Sequence, residues 1–139
     1  MGLKGFVLAS ALLLSAGAAQ AQAPAFDPAM GGSGDAAHGL VVFKAHCAIC
    51  HQPDKGGKNG VGPALYGAYG RAATASTNGF AYSDKLKASG VVWTPDKLNQ
   101  WIQKPATLVP GVKMVLPPVT APQDRADIIA FLKTETDKK

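Results

Sequence analysis

Sulfur is scarce in this sequence, which has two cysteines and three methionines among 139 residues. Both cysteines stand in one short stretch, Cys47-Ala48-Ile49-Cys50. That rules out a multi-bridge disulfide scaffold, and it rules out a structural zinc site, which takes four ligands and usually two such pairs. A single cystine or a redox dithiol stays open on the count alone. The dithiol fold, however, places its pair after a strand in a βαβ pattern, and no strand pattern precedes Cys47. Long apolar runs are also missing. The longest, Phe6 to Leu14, falls well short of the ~20 residues that span a bilayer. Charge is sparse at 17% and leaves a formal +5. The lysines are scattered rather than interleaved with aromatics, which argues against a nucleic-acid surface and suits docking on acidic protein surfaces.

The first residues carry Lys4, the apolar run, and small residues ending in Ala19-Gln20-Ala21, the order of a secretory signal peptide. The expected division is a signal peptide at 1–21, a loose Ala/Pro/Gly leader at 22–33, and one domain at 34–139. Cleavage after Ala23 is the second choice, and an uncleaved anchor the alternative to cleavage. Removing Lys4 lowers the formal charge by one, and no other run approaches spanning length, so the mature form should not cross a membrane.

His51 follows the second cysteine at once, completing Cys-x-x-Cys-His, the attachment signature of c-type haem. Residues three and four apart share a face of a helical turn. Both sulfurs and the imidazole can therefore address one porphyrin, with two thioether bonds at its edge and His51 toward its iron. A second axial ligand is then needed. Met1 leaves with the signal, Met30 lies in the leader, and Met114 sits in a loop bounded by prolines. A lone methionine is more often core filler, but a His/Met pair would raise the reduction potential and close the iron to exchangeable ligands. His38 and His46 are the rivals, and both read as surface residues.

Asp35 caps a helix of roughly three turns on which Ala36, Leu40, Phe43 and Cys47 recur at helical spacing. Gly39 within it is either a tolerated weak spot or a place of close backbone approach. Residues 52–78 are turn-rich, and Asn78-Gly79 turns again before Phe80 and Tyr82. Thr94, Pro95 and Asp96 start a second helix with Leu98, Trp101 and Ile102 on its apolar stripe, ended by Pro105. Residues 106–121 read as a loop. A last helix runs from near Pro122 to about Thr136, with Ile128, Phe131 and Leu132 inside and Arg125 and Asp127 outside. The fold class is all-α, with three or more helices and long turns wrapped around one haem.

From Gly34 to Lys133 the chain resembles the class I cytochromes c of the soluble mitochondrial and bacterial type. The matching pieces are Gly39 with Phe43, C-A-I-C-H, G-P-A-L-Y-G at 62–67, Gly70-Arg71 and F-A-Y-S at 80–83. Trp93, K-P-x-x-x-V-P-G-x-K-M at 104–114 and R-A-D-I-I-A-F-L at 125–132 complete the series. The resemblance implies a haem c bound through Cys47 and Cys50, with His51 and Met114 on the iron and the Pro63 carbonyl on the other ring nitrogen of His51. It implies that Arg71, Tyr82 and Trp93 serve the propionates; their alternative is a surface arginine and two core aromatics. It also implies that Gly39 and Phe43 meet the last helix near Phe131.

Relatives often carry polar side chains where this chain has Leu86, Trp101 and Val112. The expectation is a drier pocket in which the usual hydrogen bond to the methionine sulfur is in doubt, so that Val112→Thr shifts the midpoint potential in voltammetry. The resemblance also implies a ring of lysines round the exposed haem edge, and here that ring is thinned. His46, Gly60, Ala106 and Thr107 stand where relatives often have lysine, while Lys58 and Lys113 remain.

The implied function is an exported, monomeric, periplasmic electron carrier and not an enzyme. Its partners would be quinol–cytochrome c reductase, a terminal oxidase, a photosynthetic reaction centre or a dehydrogenase. The alternatives are a dedicated haem subunit of a larger periplasmic oxidoreductase and a small haem peroxidase. The peroxidase would need a labile sixth position and a distal acid–base residue.

Overall fold

In the computed structural model residues 34–75 and 78–138 are described. The expected signal peptide and leader lie outside them. Five helices follow in order: α1 (Ala36–His46), α2 (Asp84–Ser89), α3 (Pro95–Gln103), α4 (Pro105–Leu108) and α5 (Pro122–Asp137). Among the described residues there is no named strand, only an isolated bridge between Ala72 and Val92, and no helix is long and apolar enough to cross a membrane.

Three helices start on the residues expected from side-chain chemistry. The Asp35 carboxylate accepts the N–H groups of Ala37 and His38, and Thr94 Oγ1 accepts that of Lys97. Pro95 and Pro122 each open a helix, where a missing N–H costs nothing. Two further helices were not expected, one in a stretch left unassigned and one at the start of an expected loop. Ser83 caps the six-residue α2, too short to show a periodicity. Pro105 ends α3 but also opens the single turn of α4, so 106–121 is not loop throughout.

α1 crosses α5, and Gly39 is at the crossing. A Cβ there would stand 2.0 Å from the Asp127 carbonyl oxygen and 3.0 Å from Phe131 Cβ, so only glycine lets the two backbones touch. Next to it the rings of Phe43 and Phe131 meet with centroids 5.3 Å apart, a pairing that contributes about 0.5–1.5 kcal/mol beyond burial. α5 also packs on α3, and α3 on α4.

The outward placing of Arg125 and Asp127 is overturned: they are 6% and 2% exposed. α5 is covered on one side by α1 and on another by α3, so even its polar positions are enclosed. Each is satisfied. Arg125 Nε donates to Asn99 Oδ1 at 2.7 Å, and one terminal nitrogen donates to the carbonyls of Val119 and Thr120 at 2.8 and 2.7 Å. Asp127 accepts from the Asp35 N–H and from Gln123 Nε2, and pairs with His38 Nδ1 at 2.7 Å. Burial works against the Asp127 carboxylate, yet the hydrogen bonds from His38, Asp35 and Gln123 outweigh it and hold its pKa below the ordinary value. His38, exposed as expected, has its pKa raised, chiefly by the hydrogen bond to Asp127. His46 is exposed.

Candidate metal centre

The end of α1 delivers the attachment turn. Cys47 caps the helix, and its carbonyl accepts the N–H groups of Cys50 and His51, both at 3.0 Å. That tight turn gathers the two sulfurs and the imidazole at the wall of a cavity of about 470 Å³. Pockets for cofactors fall in the range ~300–1,000 Å³. The eight residues singled out from the sequence (Cys47, Cys50, His51, Pro63, Arg71, Tyr82, Trp93 and Met114) all line this one cavity. Phe43, Leu98, Ile102, Ile128 and Leu132 supply apolar wall from α1, α3 and α5.

His51 is buried, and its Nδ1 lies 2.8 Å from the Pro63 carbonyl oxygen. A carbonyl only accepts, so the proton sits on Nδ1 and the Nε2 lone pair is left for a metal. Burial lowers the imidazole pKa, with partial opposition from the Pro63 bond, which keeps the ring neutral. Gly62 leaves the ring its room, since a Cβ at that position would stand 2.2 Å from His51 Cε1. The Cys47 thiol is pushed up to about 11 by burial first and by the Cys50 charge second.

Met114 faces the same cavity from the loop after α4. Here the expected lack of a donor is corrected. Trp101 Nε1 donates to Met114 Sδ at 3.1 Å, and the Trp101 ring leans on Trp93 with centroids 4.9 Å apart. The pocket is indeed lined by Leu86 and Val112, but the indole replaces the missing hydroxyl. The spacing of Trp101 puts it on the apolar stripe of α3. Nothing local announces that its N–H meets a sulfur thirteen residues on.

A haem c can be tested against these walls. The donor set is one imidazole nitrogen and one thioether, with two thiols three residues apart. Arg71 lines the cavity, and its Nε is buried with no hydrogen-bond partner. A guanidinium with an unused buried donor suits an anionic group in the cavity, because such a donor left alone costs about 1–3 kcal/mol. The residues fit the group.

An all-α chain built around such a pocket belongs to the covalent haem proteins that move electrons. The sequence profile named Cytochrome c matches residues 36–136. The chain is 46% identical to cytochrome c of Theileria parva over 105 residues, 76% of this chain and 90% of that one. It is 46% identical to cytochrome c2 of Rhodopila globiformis over 101 residues, 73% of this chain and 93% of that one. Among solved structures it is similar to cytochrome cH from Methylobacterium extorquens, with a TM-score of 0.67, 46% identity, and coverage of 73% of this chain and 99% of that one. The chain belongs to the class I cytochromes c. It carries covalent haem c on the Cys47–Cys50 pair and is an electron carrier, not an enzyme.

Proposed function

We propose that this is an exported carrier that passes single electrons between redox proteins, with His51 and Met114 as the two axial ligands of its haem. The observation that carries the reading is the arrangement of those two side chains. Both line the cavity that also receives Cys47 and Cys50, and each has a fixed partner, the Pro63 carbonyl for His51 and the Trp101 N–H for Met114. Haem c supplies a one-electron ferric/ferrous couple. His51, with Nε2 unprotonated, and Met114 would hold the iron, and Leu86, Leu98, Ile102 and Val112 give the pocket an apolar lining that disfavours water. Little then needs to move when the charge changes. Arg71, Tyr82 and Trp93 would receive the propionates at the cavity wall, where a carboxylate without donors would be very costly.

Export rests on Lys4, the apolar run and Ala19-Gln20-Ala21. Cleavage there leaves the domain from residue 34 behind a short leader, in the periplasm of a bacterium. The donors and acceptors are then membrane or periplasmic redox proteins: a quinol–cytochrome c reductase, a terminal oxidase, a reaction centre or a dehydrogenase. The test is the mature protein from its native host. The expected result is an N-terminus at Gln22, a mass raised by one haem, and a reversible one-electron wave. Free thiols or a plain cystine, with no tetrapyrrole mass, would contradict it.

A further inference from the structure

Two asparagines are each followed by glycine, Asn59-Gly60 and Asn78-Gly79, and the fold brings the two pairs together. Asn59 Nδ2 donates to the Asn78 backbone carbonyl at 2.8 Å, and Asn78 Nδ2 donates to the Gly57 carbonyl at 3.0 Å. This clasp joins two segments of the cavity wall. One runs on to Gly62 and Pro63, the other to Phe80 and Tyr82, and all four line the cavity.

Asparagine is chemically labile, and before glycine it is most so. The glycine nitrogen attacks the asparagine Cγ and loses its proton, a five-membered imide closes, and ammonia leaves. Water then opens the ring to aspartate or isoaspartate. Glycine permits this because it has no Cβ to hold the two groups apart. The side chain must be free to swing over the next nitrogen, and that nitrogen must be free to give up its proton.

The two sites differ in both respects. Asn59 is half-buried and held at both ends of its amide, since its Oδ1 accepts the Ala64 N–H at 3.0 Å. Its would-be nucleophile is also engaged, because the Gly60 N–H donates to the Gly62 carbonyl at 2.9 Å. Asn78 and Gly79 are both exposed. Gly79 is in the left-handed region at φ +68°, with open space where a Cβ would stand.

We propose that Asn78 is a site of spontaneous deamidation in the folded holoprotein, and that Asn59 is shielded by the bonds that hold it. The new aspartate is ionised at neutral pH and meets the Gly57 carbonyl with an oxygen where the amide had an N–H. That half of the clasp is lost, and the formal charge falls by one. Isoaspartate also lengthens the backbone by one carbon beside the cavity wall.

The experiment holds the holoprotein at mildly alkaline pH, folded and in concentrated guanidinium, and follows both asparagines by peptide mass and isoaspartyl methyltransferase labelling. Unfolded, the two sites share one dipeptide and should convert within about threefold of each other. Folded, Asn78 should convert at least about tenfold faster than Asn59, whose hydrogen bonds must first break. The converted protein should elute earlier from a cation exchanger, and Asn78→Ser should not give that form. Asn78→Asp should have a lower thermal midpoint than the wild type, with haem attached. Equal folded rates, faster conversion of Asn59, or conversion of Asn78 only in guanidinium would overturn the proposal. So would an early-eluting form that persists in Asn78→Ser, or an Asn78→Asp midpoint equal to that of the wild type.

Discussion

The Met114 sulfur has two lone pairs, and Trp101 Nε1 takes one of them at 3.1 Å. Under the proposed ligation the other would serve the iron. An indole N–H can donate but never accept, so this contact has a fixed sense. It draws electron density from the thioether, and with Met114 on the iron the ferric state, the poorer in electrons, would feel the loss more. Trp101→Phe should therefore lower the midpoint potential. With a net hydrogen bond of about 0.5–1.5 kcal/mol and 59 mV per ~1.4 kcal/mol for one electron, the shift is about 20–60 mV. Voltammetry at neutral pH checks it, and an unchanged or raised midpoint contradicts it. The same geometry revises the expectation for Val112→Thr. With one lone pair taken by the indole and the other given to iron under the proposed ligation, a threonine hydroxyl would find nothing on the sulfur to bond, and the midpoint should stay close to that of the wild type.

His38 and Asp127 give a second prediction at this scale. The raised His38 value makes its contribution to stability full below about pH 6.5, and that contribution is lost as pH rises through the folded value. The depressed Asp127 value makes its contribution present above about pH 3.9 and lost as pH falls through the folded value. The clasp is fully formed only between these limits. Asp35 and Asp124 add to the charge facing His38. His38→Gln should flatten the fall in thermal midpoint of the holoprotein above about pH 6.5. A fall as steep in the variant as in the wild type would contradict this.

Among the elements, α1 and α5 carry the architecture because their backbones meet at Gly39. Gly39→Ala must push the Asp127 carbonyl aside, since the Cβ would lie 2.0 Å from its oxygen. Overpacking of that sort costs about 1–3 kcal/mol and should lower the thermal unfolding midpoint by several degrees with the haem still attached. A midpoint equal to that of the wild type would contradict the crossing. α1, α3 and α5 are legible in the sequence because their starts are local chemistry: Asp35, Thr94-Pro95 and Pro122 each satisfy or remove an N–H. α2 and α4 were not, because six and four residues are too few for a periodicity to show. Pro105 was read as a stop when it is also a start. Arg125 and Asp127 were misplaced for a different reason. Polarity predicts exposure only when a residue lacks partners, and their partners are up to 92 positions away.

At the scale of the whole molecule, a long-range tie holds the segment that follows Met114. Arg125 ties the end of the Met114 loop to α3 through Val119, Thr120 and Asn99. Arg125→Met leaves the Asn99 side-chain oxygen and the Val119 carbonyl buried without this donor, each at a cost of about 1–3 kcal/mol. It should loosen the loop, and added imidazole should then bind the ferric protein faster than it binds the wild type. Equal binding rates would show that the clamp does not govern the loop. The site was more legible than the walls that hold it. C-A-I-C-H, Pro63 and Met114 lie in motifs, whereas the apolar lining from α3 and α5 and the Trp101 donor exist only once the helices are packed.

The most direct test of the account is the ferric absorption spectrum of the holoprotein beside that of Met114→Ala. A sulfur-ligated iron gives a weak long-wavelength charge-transfer band, which should be present in the wild type and absent from the variant. A wild type without the band, or a variant that keeps it, would contradict the assignment of Met114 as the ligand opposite His51.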